Sequence, residues 1–491
     1  MRSGTGTWAS RPRSSRAPPG WPTSARRSRL PPEQLSPLDV VFLQLEDGRA
    51  HMHIALVGSF RPLAGRSRPT LQALQASVEA RLPHLPRFRQ RLAWPPGRLA
   101  EPFWVDDPGF DIARHVVAAA DPDQALSDAE FGQLTDEFLS TPLERPGPLW
   151  RFAFVPRLDD GRAGLVCKVH HAMVDGVAGM EIVASLFSDR ADAPSETPAA
   201  WHPEPPPGPL GLGLAALRGQ VEAAGARTAR ALVGLASPAT AAGELRDAVL
   251  RGAAAVRDDV LFPAPSSFLN RSIGPTRRLA RCPLPASELV QVKRAAGVTF
   301  NDACLAVAGG ALRRLALDRG ELPPRLKVAV PVSMRGRDPR GWGNRISFTA
   351  IELPLDEPSA PARIAGVHEQ TARFKETGRA AATDSAINAL SFLPGPLRAP
   401  LARLGAGARA FNLTISNVPG PRTPLYLLGA ELDEGYLLAP LTPGHALSIA
   451  FFPYRDRVFF AGYADPVALP EVDALPDALR AELAELRESL P

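Results

Sequence analysis

Apolar residues recur along this chain at two spacings, and the switch between them predicts its elements. Val40, Val41, Leu43 and Leu45 follow Ser36-Pro37-Leu38-Asp39. That segment reads as a helix start: serine caps, proline suits the first turn and aspartate favours the positive end. A strand is expected at His53-Ile54-Ala55-Leu56-Val57. Leu71, Leu74, Val78 and Leu82, spaced by three or four, predict a helix over 70–83. Two strands are expected at 150–155 and 164–170, separated by the turn Asp159-Asp160-Gly161, with a helix from about Val177 to Phe187.

The pattern then breaks. Residues 193–209 hold many prolines, including Pro205-Pro206-Pro207, and read as a linker. Residues 210–255 are rich in Ala, Leu and Arg and helical in character. They read either as a crossover arm packed on the domains or as a helix lying on a lipid surface. From about 266 a second α/β region begins, with a helix at 302–317, strands at 327–333 and 346–353, and a strand-rich close at 446–463. The expected division is an extension at 1–34, a first lobe at 35–190, a linker with crossover helices at 191–265, and a second lobe at 266–491.

Composition adds limits. A chain of 491 residues is too long for one ordinary core, so two domains are expected. No apolar run reaches the roughly 18–20 residues that cross a bilayer, so any membrane contact should be peripheral. No apolar segment follows the N-terminal arginines, so a secretory signal is not expected. Residues 1–34 show no periodicity and read as disordered, either as an Arg-rich leader or as a flexible tail. The net charge of +5 is misleading, because seven arginines and no acid lie in residues 1–32; without them the remainder stands at −2. A near-neutral body argues against a nucleic-acid-binding domain. Cys167, Cys282 and Cys304 are too scattered for a metal or disulfide framework, which points to a reduced cytoplasm.

The chemistry concentrates at His170-His171-Ala172-Met173-Val174-Asp175-Gly176. A strand delivers two histidines to its C-terminal end, and adjacent strand residues face opposite ways. One histidine should face a cleft and the other should pack. A neutral imidazole is the natural base for an alcohol at physiological pH. Asp175 is placed either to orient an imidazole or to brace the loop against an arginine. Gly176 relieves crowding where the turn meets the helix. A metal site is the competing reading, but adjacent strand histidines diverge and no further His/Glu cluster completes a ligand set. No Gly-x-Ser-x-Gly elbow supports a serine hydrolase. Cys167 lies within a strand and Cys304 within an apolar helix, poor settings for a nucleophile.

His170-His171-x-x-x-Asp175-Gly176 resembles the HHxxxDG signature of chloramphenicol acetyltransferase-like, CoA-dependent acyltransferases. Other segments narrow the resemblance to the bacterial wax ester synthase/diacylglycerol acyltransferase family. They are Leu35-Ser36-Pro37-Leu38-Asp39, Pro86 to Leu92, Phe110-Asp111-Ile112 with His115-Val116, Pro148-Leu149-Trp150 and Asn301-Asp302. Val330 to Arg335, Gly343-Asn344-Arg345, Ser416 to Pro421 and Gly462-x-x-Asp465 complete the set, in order over about 35–480.

The resemblance implies an α/β (α+β) protein of two chloramphenicol acetyltransferase-like lobes, each a mixed sheet flanked by helices, with a tunnel between them. It implies acyl-CoA as co-substrate, no bound cofactor or metal, and diacylglycerol or a fatty alcohol as acceptor. His171 would be the general base in a direct ternary-complex transfer, His170 supporting, and Asp175 structural, paired with an arginine such as Arg335. Asn301 is either a helix cap or an amide near the thioester oxygen, and Asp302 is expected to be a cap. Pro148, Leu149 and Trp150 are expected to pack at a strand start. Ser416 and Asn417 line the tunnel or build the turn before Pro419, and Ser333, Arg335 and Asn344 are expected to hold the lobes. The expected setting is cytoplasmic, peripheral at the inner membrane or at lipid inclusions. Two other readings compete: an acyltransferase or condensation enzyme using carrier-protein thioesters or other acceptors, which shares the motif, and a non-enzymatic lipid-surface protein with a degenerate site, against which the intact motif argues.

Overall fold

The structure is a computed structural model, which describes residues 32–98, 100–173, 186–193, 197–198, 200–236, 263–333, 346–377, 400–401, 403–421 and 423–490. Its frame is two six-stranded mixed sheets. The first runs, in spatial order, Tyr426–Leu427, Ala430–Leu438, His53–Pro62, Ala163–His170, Trp150–Val155 and Val116–Ala118. The second runs Ile346–Pro354, Arg325–Ser333, Leu413–Asn417, Leu447–Tyr454, Arg457–Ala464 and Arg278–Pro285. A small third sheet joins Glu33–Gln34, Phe103–Asp106 and Gln90–Ala93.

The sheets are not the two halves of the sequence. Ala430–Leu438 leaves the second half of the chain and pairs antiparallel with His53–Pro62, so part of the 266–491 span completes the first sheet. The reason is physical: the open edge of His53–Pro62 exposes a row of unpaired N–H and C=O groups, and the crossing strand satisfies them. Glu33 and Gln34, expected within a disordered extension, are part of the fold. Glu33–Gln34 pairs with Phe103–Trp104, and the Glu33 carboxylate meets buried Arg87 at 2.8 Å.

Each sheet reads out of simple patterning. In Leu447–Tyr454 and Arg457–Ala464, Ile449, Phe451, Val458 and Phe460 join one core. Phe452, Tyr454, Phe459 and Tyr463 join the other. Side chains alternate across a sheet, so these strands are buried on both faces and read as near-continuous apolar runs. One face packs on the helices Ala286–Ala296, Phe300–Arg319, Ala360–Thr377 and Leu475–Ser489; the other packs toward the first lobe. Gly462 permits this closeness, because a Cβ there would lie 2.4 Å from Leu475 Cδ2.

The expected helix starts are where the sequence puts them, with one change. Ser36 caps Pro37–Leu45 in a capping box with Asp39. Phe300–Arg319 starts one turn differently from expectation: Thr299 is the cap, and Asp302 is its capping-box partner three residues on. The Asp159-Asp160-Gly161 turn closes on Leu158, with Gly161 at φ +85°. The expected helix from Val177 falls largely outside the described residues. The Pro-rich segment is not a free linker, since Trp201 sits edge-on to Phe110 and under the Arg89 guanidinium at 5.0 Å. Among the described residues no single helix is long and apolar enough to cross a membrane.

Candidate active site

Ala163–His170 lies inside the first sheet and is buried along its whole length. It ends at His170, and His171 opens the turn that follows. Both backbone N–H groups are tied to the residues that lead into the neighbouring strands. His170 donates to Leu149 O and His171 to Met52 O, each at 2.9 Å. Met52 is buried and held at φ +48°, a left-handed conformation costly for a side-chain-bearing residue. The site therefore holds local backbone strain beside the histidine pair.

The two imidazoles do different work. His170 is fully buried, and its Nδ1 accepts from the Ala172 N–H at 3.0 Å. That leaves the ring proton on Nε2, which points at Glu46 Oε2, 3.7 Å away. Burial first, then the nearby Arg145 charge, pushes the pKa of His170 well below the ordinary imidazole value, so it is neutral. His171, 8% exposed, stacks on Phe42 with ring centroids 3.9 Å apart and planes inclined by 20°. The Glu46 carboxylate pairs with Arg145, and burial raises its pKa despite that partner.

More imidazoles and one lysine lie behind this pair. His53 is opposite His170 in register and edge-on to it at 6.3 Å, and His51 lies 5.4 Å from His53. Burial lowers the pKa of His51 to about 4 and that of His53 well below its usual value. Lys168, two residues before His170 on the same strand face, donates to Phe138 O and Thr141 O at 2.6 Å each, and burial lowers its pKa to about 7. The sequence reading missed His51, His53, Lys168, Phe42 and Glu46. The His-x-His alternation and a lysine inside an apolar strand were the available signals. Among the described residues no group of three or more His, Cys, Asp or Glu side chains is placed to share a metal ion.

Pro148-Leu149-Trp150 joins the site as its support. Trp150 is buried, and its Nε1–H donates to Phe88 O at 2.8 Å. His115 stacks on it at 4.6 Å and donates from Nδ1 to Trp150 O at 2.8 Å; Phe110 stacks on His115 at 5.2 Å. Three separated sequence motifs thus meet in one aromatic stack. Pro148 O accepts the Trp150 N–H at 3.0 Å.

In the second lobe, Asn417 Nδ2 donates to Asn301 Oδ1 at 3.0 Å, bringing together the Asn-Asp and Ser-Asn motifs. Ser416 is half-buried beside Asn417 on Leu413–Asn417. Asp302 is fully buried, closes the box with Thr299 at 3.0 Å, and accepts from His368 at 2.7 Å and Thr371 at 2.8 Å. Burial alone would raise its pKa, but these hydrogen bonds, His368 foremost, more than offset that and lower it. Ser333 ends a strand opposite Ile346. Asp175, Gly176, Arg335 and Asn344 lie outside the described residues. An open cavity of about 730 Å³ between Asn270–Thr276 and Asp465–Pro470 is lined by none of the expected site residues.

Two mixed sheets packed through a shared core, with a histidine pair at one strand end, define the two-lobed chloramphenicol acetyltransferase-like fold. A condensation domain of the CDA synthetase superposes with a TM-score of 0.57 at 17% identity, covering 95% of this chain and 98% of its own. The family is more specific. The profile for the wax ester synthase/diacylglycerol acyltransferase catalytic domain matches residues 35–304, and that for the WS/DGAT C-terminal domain matches 342–487. The chain belongs to the wax ester synthase/diacylglycerol acyltransferase family. It is 31% identical over 459 residues to a probable diacylglycerol O-acyltransferase of Mycobacterium tuberculosis, tgs1, covering 92% of this chain and 95% of the relative. A wax ester synthase/diacylglycerol acyltransferase from Marinobacter aquaeolei has a TM-score of 0.63 at 26% identity, covering 92% of this chain and 98% of that one.

Proposed function

We propose that this protein moves a long-chain acyl group from acyl-CoA to the hydroxyl of diacylglycerol, of a long-chain alcohol, or of both, with His171 as general base and no bound cofactor. The observation that carries the reading is His171 itself. Its backbone is anchored at a sheet terminus and its ring is held flat against Phe42, inside a chain that matches both family domains.

In this mechanism the imidazole takes the hydroxyl proton as the oxygen attacks the thioester carbonyl. The C–O bond forms, the C–S bond breaks, and the proton passes to the departing CoA sulfur, which restores the base. No acyl-enzyme forms. Asn301 supports the transfer from the second lobe: with Oδ1 engaged by Asn417, its NH2 group keeps the polarity that a developing oxyanion needs. Donor and acceptor approach through the tunnel between the lobes. The enzyme works from the cytoplasmic side of a membrane or lipid inclusion, a setting favoured by the exposed apolar residues Leu210, Leu214, Leu217 and Val221 on Pro209–Ala236.

A labelled acyl-CoA assay with diacylglycerol and a panel of long-chain alcohols tests the reading. Ester should form with at least one acceptor, and His171→Ala should lower the rate by about two orders of magnitude or more. Clean protein that forms no ester with any acceptor would sink it, and transfer from acyl-carrier protein alone would move the donor to a carrier.

A further inference from the structure

The helix Pro37–Leu45 reaches both histidines at once. Phe42 lies on it, and Glu46 is its C-cap, one turn further on. Residues four apart share a helix face, so the two side chains project together. Phe42 is buried and covers the ring of His171 at 3.9 Å, with the two planes 20° from parallel. The Glu46 carboxylate faces His170 Nε2 at 3.7 Å and is itself held by Arg145. His170 in turn organises the turn that carries His171. Its Nδ1 accepts the Ala172 N–H at 3.0 Å, and its carbonyl accepts the Met173 N–H at 2.9 Å.

We propose that Phe42 and Glu46 are positioning residues for the acyl transfer, Phe42 setting the plane of the His171 imidazole and Glu46 holding, by its charge 3.7 Å from Nε2, the orientation of the His170 ring whose tautomer the Ala172 N–H fixes. The proposal rests on the reading of His171 as the base. Neither residue touches a reacting atom. A base must meet the hydroxyl proton along one direction, and small misplacements at a reacting group cost large factors in rate. An aromatic ring stacked on the imidazole restricts it to one plane, whereas an aliphatic side chain of similar size fills the space without defining a plane. The helix start fixes the register: the box between Ser36 and Asp39 determines where the later turns face.

The test measures kcat and KM for both substrates, with thermal melts, on the full chain carrying Phe42→Leu, Phe42→Met, Phe42→Tyr, Glu46→Gln or His171→Ala. Phe42→Leu is expected to lose about 10-fold or more in kcat with KM within about twofold, while Phe42→Tyr, which keeps the plane, recovers most of the rate. Glu46→Gln should lose kcat severalfold at constant KM. Phe42→Met is included so that an unfolded leucine variant leaves the comparison intact. Equal losses in Phe42→Tyr and the aliphatic variants, or losses that only follow the folded fraction, would overturn the role of Phe42. An unchanged kcat in Glu46→Gln would overturn that of Glu46. Retained activity in His171→Ala instead removes the base reading, a separate failure that the same plates reveal.

Discussion

Trp150 shows how much one residue carries here. Its indole fills the space between Phe88, His115 and Phe152, its Nε1–H satisfies the buried Phe88 carbonyl, and its own carbonyl accepts a hydrogen bond from His115 Nδ1–H. The residue before it, Leu149, accepts the N–H of His170. Trp150→Phe keeps most of the ring volume but leaves the Phe88 carbonyl without its donor. We expect a loss of about 1–3 kcal/mol, a fall in melting temperature of several degrees, and little change in KM. A melt indistinguishable from the parent would contradict this. In sequence Trp150 reads only as an aromatic at a strand start, because its partners Phe88 and His115 lie 62 and 35 positions away.

At the scale of elements, Pro209–Ala236 is the unusual helix. Leu212 and Ala216 are buried against Phe103 and Val105 of the small sheet. Leu210, Leu214, Leu217 and Val221 form a stripe on the opposite side and are 57–83% exposed. A surface helix that packs on one face is expected to be polar on the other, so an apolar outer stripe marks a contact surface. The segment packs as an arm on the small sheet, and its other side is apolar. If that face meets lipid, Leu214→Glu with Leu217→Glu should weaken sedimentation with diacylglycerol-containing vesicles severalfold while leaving the melting temperature within a few degrees. Unchanged vesicle binding in the double variant would remove the lipid role.

For the molecule as a whole, the joint between the lobes runs along Asp128–Ser140 and Arg278–Pro285. Arg281 pairs with Asp128 at 2.7 Å, Asp136 accepts from the Leu279 N–H at 2.9 Å and from Arg278 at 3.2 Å, and Ser140 accepts from the Arg277 N–H at 2.8 Å. Burial at this joint raises the pKa of Asp136 to about 6, against the hydrogen bond from Leu279 and the charge of Arg278. The folded chain therefore holds this proton more tightly than the unfolded one. Asp136 stabilises the protonated joint at low pH, and that contribution is lost as pH rises from about 4 through 6. Asp136→Asn keeps an acceptor for Leu279 and removes the buried charge. It should gain about 1–2 kcal/mol at pH 7–8 after allowance for solvent screening, and none at pH 4. Parallel stability curves for parent and variant over that range would rule this out.

Local information sufficed for much of the architecture. Serine, proline and aspartate at 36–39 specify a helix start by satisfying its first N–H groups. Asp159-Asp160-Gly161 specifies a turn because glycine tolerates φ +85°. Alternation at the strand end separates His170 from His171, since neighbouring side chains leave a strand in opposite directions. What the chain could not reveal locally was which surfaces meet. Only the tertiary structure brings Ala430–Leu438 to the edge of His53–Pro62 and joins Asn301 to Asn417 across 116 positions. The histidine pair returns the same lesson. Its chemistry is written in residues 170–171, but the Phe42 ring and Glu46 carboxylate that orient it arrive from a helix more than a hundred residues earlier. Periodicity tells which face of that helix is apolar; it takes packing of the whole chain to put an imidazole against it.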